Sequence, residues 1–139
     1  MRGRLKLKRY DEAIKELRRA LKRAVSIEDR AIILTYSGSA YIDKAMYTEA
    51  EKELREALRL KPDHAEGHYI YALLCSRLNR AAETKSHGEE AVRLAQAAVK
   101  TDPGNADNHL LLAKLYTLEG KTSEANASYA EYQRLLLAH

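Results

Sequence analysis

Histidines are the first residues in this chain that could do chemistry. The stretch "DHAEGH" (63–68) sets His64 and His68 four residues apart, a spacing that brings two imidazoles to one face of a helix, where they could hold a zinc ion. A zinc hydrolase built on that spacing needs a glutamate directly after the first histidine as its general base. Ala65 occupies that position and Glu66 follows it, so the ligand spacing is present without the base. Asp63 fits a helix N-cap, which gives the stretch a structural task at the entrance to a helix. His109 is expected to open another helix, and His87 and His139 to lie at the surface. The single Cys75 has no partner for an intrachain disulfide and is expected to pack as a small apolar residue. No Gly-rich phosphate loop, Ser-His-Asp arrangement or paired-Cys metal pattern occurs. These observations predict a protein with no catalytic residues, no cofactor and no metal.

The elements around these residues read as helix. Of the 139 residues, 45% are hydrophobic and 32% charged, with six Gly and two Pro, a balance that favours helices with few sharp turns. The most apolar run, "IILTYSGSAYI" (32–42), is short and broken by hydroxyls, so no membrane span is expected. The start, "MRGRLKLKR", lacks the apolar segment of a signal peptide, and the cytoplasm is the default compartment. Charge is uneven: residues 1–30 carry eleven Lys/Arg against five Asp/Glu, and the rest carry thirteen against fifteen. Arg18, Arg19, Lys22 and Arg23 form a candidate basic patch for RNA or an anionic surface. Glu12 and Glu16, however, stand three or four residues before Lys15 and Arg19, the ordinary pairing of a helix surface. Residues 11–30 also lack the aromatic residues that stack on bases, so nucleic acid is not the expected partner.

Three segments align with one another: "RYDEAIKELRRAL" (9–21), "MYTEAEKELREAL" (46–58) and "KTSEANASYAEYQ" (121–133). Each is preceded or followed by a second apolar helix pattern, "LTYSGSAYIDKA" (34–45), "HYIYALLCSRLN" (68–79) or "LLLAKLYTLEG" (110–120). The unit is helix, short turn, helix. Seven helices are predicted, near 11–25, 28–44, 47–60, 64–78, 80–101, 106–119 and 122–137. Thr48 with Glu51 and Asp63 with Glu66 fit capping boxes, and Asn105 and Thr122 or Ser123 fit N-caps.

With Leu34, Gly38, Tyr41, Ala50, Leu54, Ala57 and Pro62 in place, the chain resembles the tetratricopeptide repeat family, whose unit is a pair of antiparallel helices about 34 residues long. Small residues sit where backbones approach, larger ones fill the space between, and proline ends the unit. The last unit matches through Ala113, Tyr116, Gly120, Ala125 and Tyr129, and departs at Tyr132; the third keeps Ala72 and Pro103 but has Cys75 where Tyr is usual. The resemblance implies an all-α, right-handed solenoid: a partial repeat over 1–27 and repeats near 28–62, 63–103 and 104–139.

It also implies a non-catalytic scaffold that binds another protein, as a peptide or amphipathic helix, on the concave face formed by the first helix of each pair. Thr35, Tyr36, Ser39, Tyr69, Ile70, Leu73, Arg77, Leu110, Leu111 and Lys114 are the candidate groove residues. The family's basic clamp for C-terminal carboxylates would fall at Thr35, Ser39, Ile70, Asp107 and Leu111, and those residue types do not supply it.

Two features depart from a regular array. Residues 1–7 are too few for an opening helix, and "YQRLLLAH" (132–139) has no polar capping helix. Repeat arrays cover their ends, so the expectation is either a piece of a longer protein or self-association that buries the ends. Pro62 and Pro103 are 41 residues apart, a heptad more than the family's unit. The surplus is expected in the helix near 80–101, with residues 80–87 projecting past their neighbours. A heptad returns a helix face to within about 20°, so one stripe of small residues can continue along the added length. Gly88 within it predicts either a close backbone approach or a break at "SHG" (86–88).

Overall fold

A computed structural model describes residues 2–138. Its seven helices are α1 (Arg2–Arg23), α2 (Ile27–Asp43), α3 (Tyr47–Leu60), α4 (Ala65–Arg77), α5 (Ala81–Thr101), α6 (Ala106–Leu118) and α7 (Thr122–Leu137). Six of them begin and end within about two residues of the sequence expectation, which is the usual tolerance of helix ends. The first does not: α1 starts at Arg2 rather than near residue 11. Arg, Lys and Leu are all strong helix formers, and the apolar stripe Tyr10, Ile14, Leu17 and Leu21 extends back to Leu7 at the same spacing.

Packing follows chain order. The pairs α2–α3, α4–α5 and α6–α7 are hairpins, α1 lies on α2, and each hairpin docks on the next. Small residues make this possible. Ala50, Ala57, Ala72, Ala91 and Ala95 are essentially without exposed surface. Gly38 faces Leu54 so closely that a Cβ there would stand 2.5 Å from Leu54 Cγ. The apolar side chains form two clusters, one around Ile42, Leu54, Tyr71 and Leu74, the other around Ala91, Ala95, Leu112 and Leu115. Tyr69 packs against both. Among the described residues, no helix is long and apolar enough to cross a membrane.

The three hairpin turns share one design. Met46, Arg80 and Lys121 each donate a backbone hydrogen bond to the carbonyl five residues earlier, at Tyr41, Cys75 and Tyr116. This wide closing bond requires a left-handed residue just before it, and Ala45, Asn79 and Gly120 take φ of 59°, 58° and 76°. Gly and Asn tolerate that region, whereas alanine pays for its Cβ. Ala45→Gly is therefore expected to raise stability by about 1 kcal/mol, read as a higher urea midpoint with an unchanged slope.

Caps only partly follow the sequence expectation. Asn105 accepts from the Asp107 amide as expected, and Ser26 caps α2 through the Asp29 amide. The first-turn boundaries of α3, α4 and α7 fall at Met46, His64 and Lys121, with no side-chain cap. In each of these helices the preceding turn or loop already orients the chain, so Thr48, Asp63 and Thr122 are not needed in that role.

Candidate functional site

The inner strip is carried by α2, α4 and α6. Tyr36 on α2 is its most exposed aromatic residue, at 49%. The carboxylate of Glu66 on α4, then partial burial, then Asp107 on α6 push its phenol pKa upward, so the first turns of α4 and α6 both face Tyr36. Neither Glu66 nor Asp107 has an ion-pair partner among the described residues, and the same holds for Arg77 and Lys114, which are exposed further along α4 and α6. Acids thus mark one edge of the strip and bases the other. Between them Ser39, Tyr69, Leu73, Leu110 and Leu111 are half-buried. Burial, followed by Glu66, raises the Tyr69 phenol.

Two groove residues belong to the interior instead. Thr35 is 1% exposed and donates its hydroxyl to the Ala31 carbonyl at 2.8 Å. Ile70 is buried in the first apolar cluster. The α2–α4 contact covers what a single-helix pattern would place on the surface.

The basic patch is likewise divided. Arg18 forms an ion pair with the buried carboxylate of Glu53 on α3 and donates to Tyr41 Oη at 3.3 Å. Arg19 pairs with Glu16 at 2.9 Å. Lys22 and Arg23 are exposed. Arg18 therefore fastens α1 to the array.

The long helix α5 is continuous from Ala81 to Thr101. Its first half pairs with α4, where His87 lies on Tyr71 with ring centroids 4.5 Å apart. Its second half pairs with α6, where Ala91 and Ala95 receive Leu112 and Leu115. Residues 80–87 consequently do not project past their neighbours. The added heptad lets one helix serve two partners in series and sets the α6–α7 turn about two helical turns back along it. That offset leaves a cleft of about 680 Å³ beside the first half of α5, walled by Arg80, Thr84, Gly88, Leu118, Glu119 and Lys121. The sequence signal for this cleft is the surplus heptad. Gly88 makes no close approach to another element and breaks nothing: a Cβ there would meet no atom within 4 Å. Gly88→Ala is therefore expected to stabilise the protein by about 0.5–1 kcal/mol, seen as a higher thermal midpoint.

The histidines meet partners that sequence spacing did not indicate. His68 faces His87, not His64: the two Nδ1 atoms are 3.0 Å apart and the rings stack at 5.2 Å. His87 is half-buried rather than superficial, because its ring fills the α4–α5 interface. His64 Nε2 is buried without a partner. Among the described residues, no three His, Cys, Asp or Glu side chains converge as metal ligands. Cys75 is fully buried, and burial pushes its thiol up to about 11, far from the thiolate a nucleophile requires.

Two models of the tetratricopeptide repeat match the chain, over residues 37–84 and 4–24, and the protein belongs to that family. Among solved structures, it is similar to TTC0263, a thermophilic TPR protein of Thermus thermophilus, at 22% identity and a TM-score of 0.61, covering 93% of this chain and 67% of that one. It is also similar to MamA 41-end from Desulfovibrio magneticus RS-1, at 17% identity, a TM-score of 0.50, and 96% and 70% coverage. Another MamA crystal structure aligns at 21% identity with a TM-score of 0.47, over 91% and 68% of the two chains. No relative among the curated proteins matches the chain. At these identities the likeness concerns the fold: an α-solenoid of helix pairs.

Proposed function

We propose that this protein is a non-catalytic interaction module that takes an apolar helix or extended segment of another protein along the inner strip of α2, α4 and α6. Tyr36 carries this reading: an aromatic side chain half in solvent, with Glu66 and Asp107 beside it and no basic partner on either among the described residues. A tyrosine in that position can bury its ring against a ligand at little entropic cost. The partner it fits has an apolar face and a Lys or Arg that reaches the starts of α4 and α6. Family membership supports the general role, since such arrays display preformed surfaces.

Tyr36→Ala is the direct test. Its expected effect on folding is within about 0.5 kcal/mol, as for other exposed positions, while a partner captured by the native protein is expected to bind about tenfold or more weakly. Capture that matches the native protein would place the binding surface elsewhere. Tyr69 is a poorer probe, because it joins the two apolar clusters and its truncation would disturb the fold as well.

A second reading, association between copies, rests on exposed leucines: Leu136 and Leu137 on α7 are 53% and 88% exposed, and Leu5 on α1 is 62% exposed. Sedimentation over a concentration series tests it, and a strict monomer at high concentration would sink it.

A further inference from the structure

The contact between His68 and His87 has a specific proton inventory. His68 Nε2 lies 2.7 Å from the Pro62 carbonyl, which can only accept, so that nitrogen carries a proton. In neutral His68 the other ring nitrogen, Nδ1, is then an acceptor. The Nδ1 of His87, 3.0 Å away, must be the donor. A first added proton can enter at His87 Nε2 and leave this hydrogen bond in place. A second must enter at His68 Nδ1, which removes the acceptor and sets two stacked cations against each other.

We propose that His68 and His87 form a proton-operated latch between α4 and α5, closed while at most one ring is charged and opened when both are. Pro62 O fixes the His68 ring to the exit of α3, and Tyr71 backs His87. The latch therefore controls the seating of α4, which carries Tyr69 and Leu73 on the inner strip. The latch is independent of the identity of any partner.

The surrounding charges define its range. From α5, Glu83 faces His87, and Glu90 faces His68 while paired with Arg93. From the approach to α4, His64 lies within electrostatic reach of His68 without facing it, and Lys61 and Asp63 act on His64 in the same way. From α3, Glu51 and Arg55 surround the Tyr71 hydroxyl, and Arg80 completes that group. Glu83 favours a charged His87, but burial, followed by the neighbouring His68, outweighs it and lowers the His87 pKa. Burial, then Lys61 and His68, lower His64 in the same sense. On unfolding, His87 and His64 take protons near the ordinary histidine value of about 6.5, before they do in the folded chain. Stability is complete above that value and falls as the pH drops below it.

Nuclear magnetic resonance of the full chain tests the latch. At about pH 8, long-range proton–nitrogen spectra are expected to show His68 protonated on Nε2 and His87 on Nδ1. On acidification to about pH 5, amide exchange corrected for its intrinsic rate is expected to rise about tenfold in α4 and α5 relative to α2 and α3. His87→Phe, which keeps the stack without the donor, should lose that acid response, and His64→Asn should keep it. The proposal is overturned if the two tautomers are not those stated, if His87→Phe retains the acid response, or if His64→Asn abolishes it. Should His87→Phe fail to fold at pH 8, His87→Gln takes its place, and the native tautomers decide without any variant.

Discussion

Leu54→Ala is expected to destabilise the protein by about 2–5 kcal/mol, the range for emptying a fully buried leucine site. Leu54 has no exposed surface and fills the first apolar cluster. It also touches Gly38, where the packing leaves no room for a side chain. A Cβ on Gly38 would stand 2.5 Å from Leu54 Cγ and 2.7 Å from Cδ2, and Cγ is the branch point of the side chain, not a movable tip. Gly38→Ala alone should therefore cost about 1–3 kcal/mol through overpacking, despite the helix propensity that alanine gains. The two changes are coupled. In the double variant the new methyl enters space that Leu54 has vacated, so its cost should fall well below the sum of the single costs. Chemical denaturation of the four proteins checks this, and simple additivity would refute the close α2–α3 approach.

Leu115→Ala should cost a similar amount, about 2–5 kcal/mol, but with a different distribution. Leu115 is fully buried in the second cluster, between α5 and α6. That cluster meets the first through Tyr69, and among the described residues α4 and α6 do not pack closely on each other as α2 and α4 do. In a linear array, stability is the sum of unit and interface contributions. The loss should therefore appear as early exchange and early unfolding of α6 and α7, with α2–α4 still protected. Leu54→Ala should instead weaken the array from its centre. Residue-resolved hydrogen exchange on both variants separates the two patterns, and identical, uniform loss in both would show a single cooperative core.

The ion pair of Arg18 with Glu53 illustrates how far a helix pattern can be read. The positions of Arg18 and Arg19 on one exposed stripe are plain from their spacing in α1. Their different fates are not. Arg19 finds Glu16 on its own helix, while Arg18 reaches a carboxylate on α3 that is otherwise buried. Removing Arg18 leaves that carboxylate without its cation, so Arg18→Met is expected to cost about 1–2 kcal/mol, reduced from the fully buried case by the arginine's 46% exposure. Arg19→Met should change stability by less than about 0.5 kcal/mol.

Periodic and local features were legible in the chain itself. Helix spacing, the recurring small residues at Gly38, Ala50, Ala57, Ala91 and Ala95, and the prolines that close units specify the helix pairs, because each signal acts within one helix or one turn. The extra heptad between Pro62 and Pro103 was legible for the same reason. The first turns of α1 were not, since "RLKLK" alternates leucine and charge and hides a stripe that emerges only once Tyr10 and Ile14 are included. Which surfaces meet is settled by packing: that α5 divides its length between α4 and α6, that Thr35 and Ile70 lie inside while Tyr36 stays out, and that His87 rather than His64 faces His68. Those pairings depend on the axial offset and rotation of one helix against another, set by the fit of many side chains at once. A pattern along a single helix carries its face, but not the register of the neighbour that covers it.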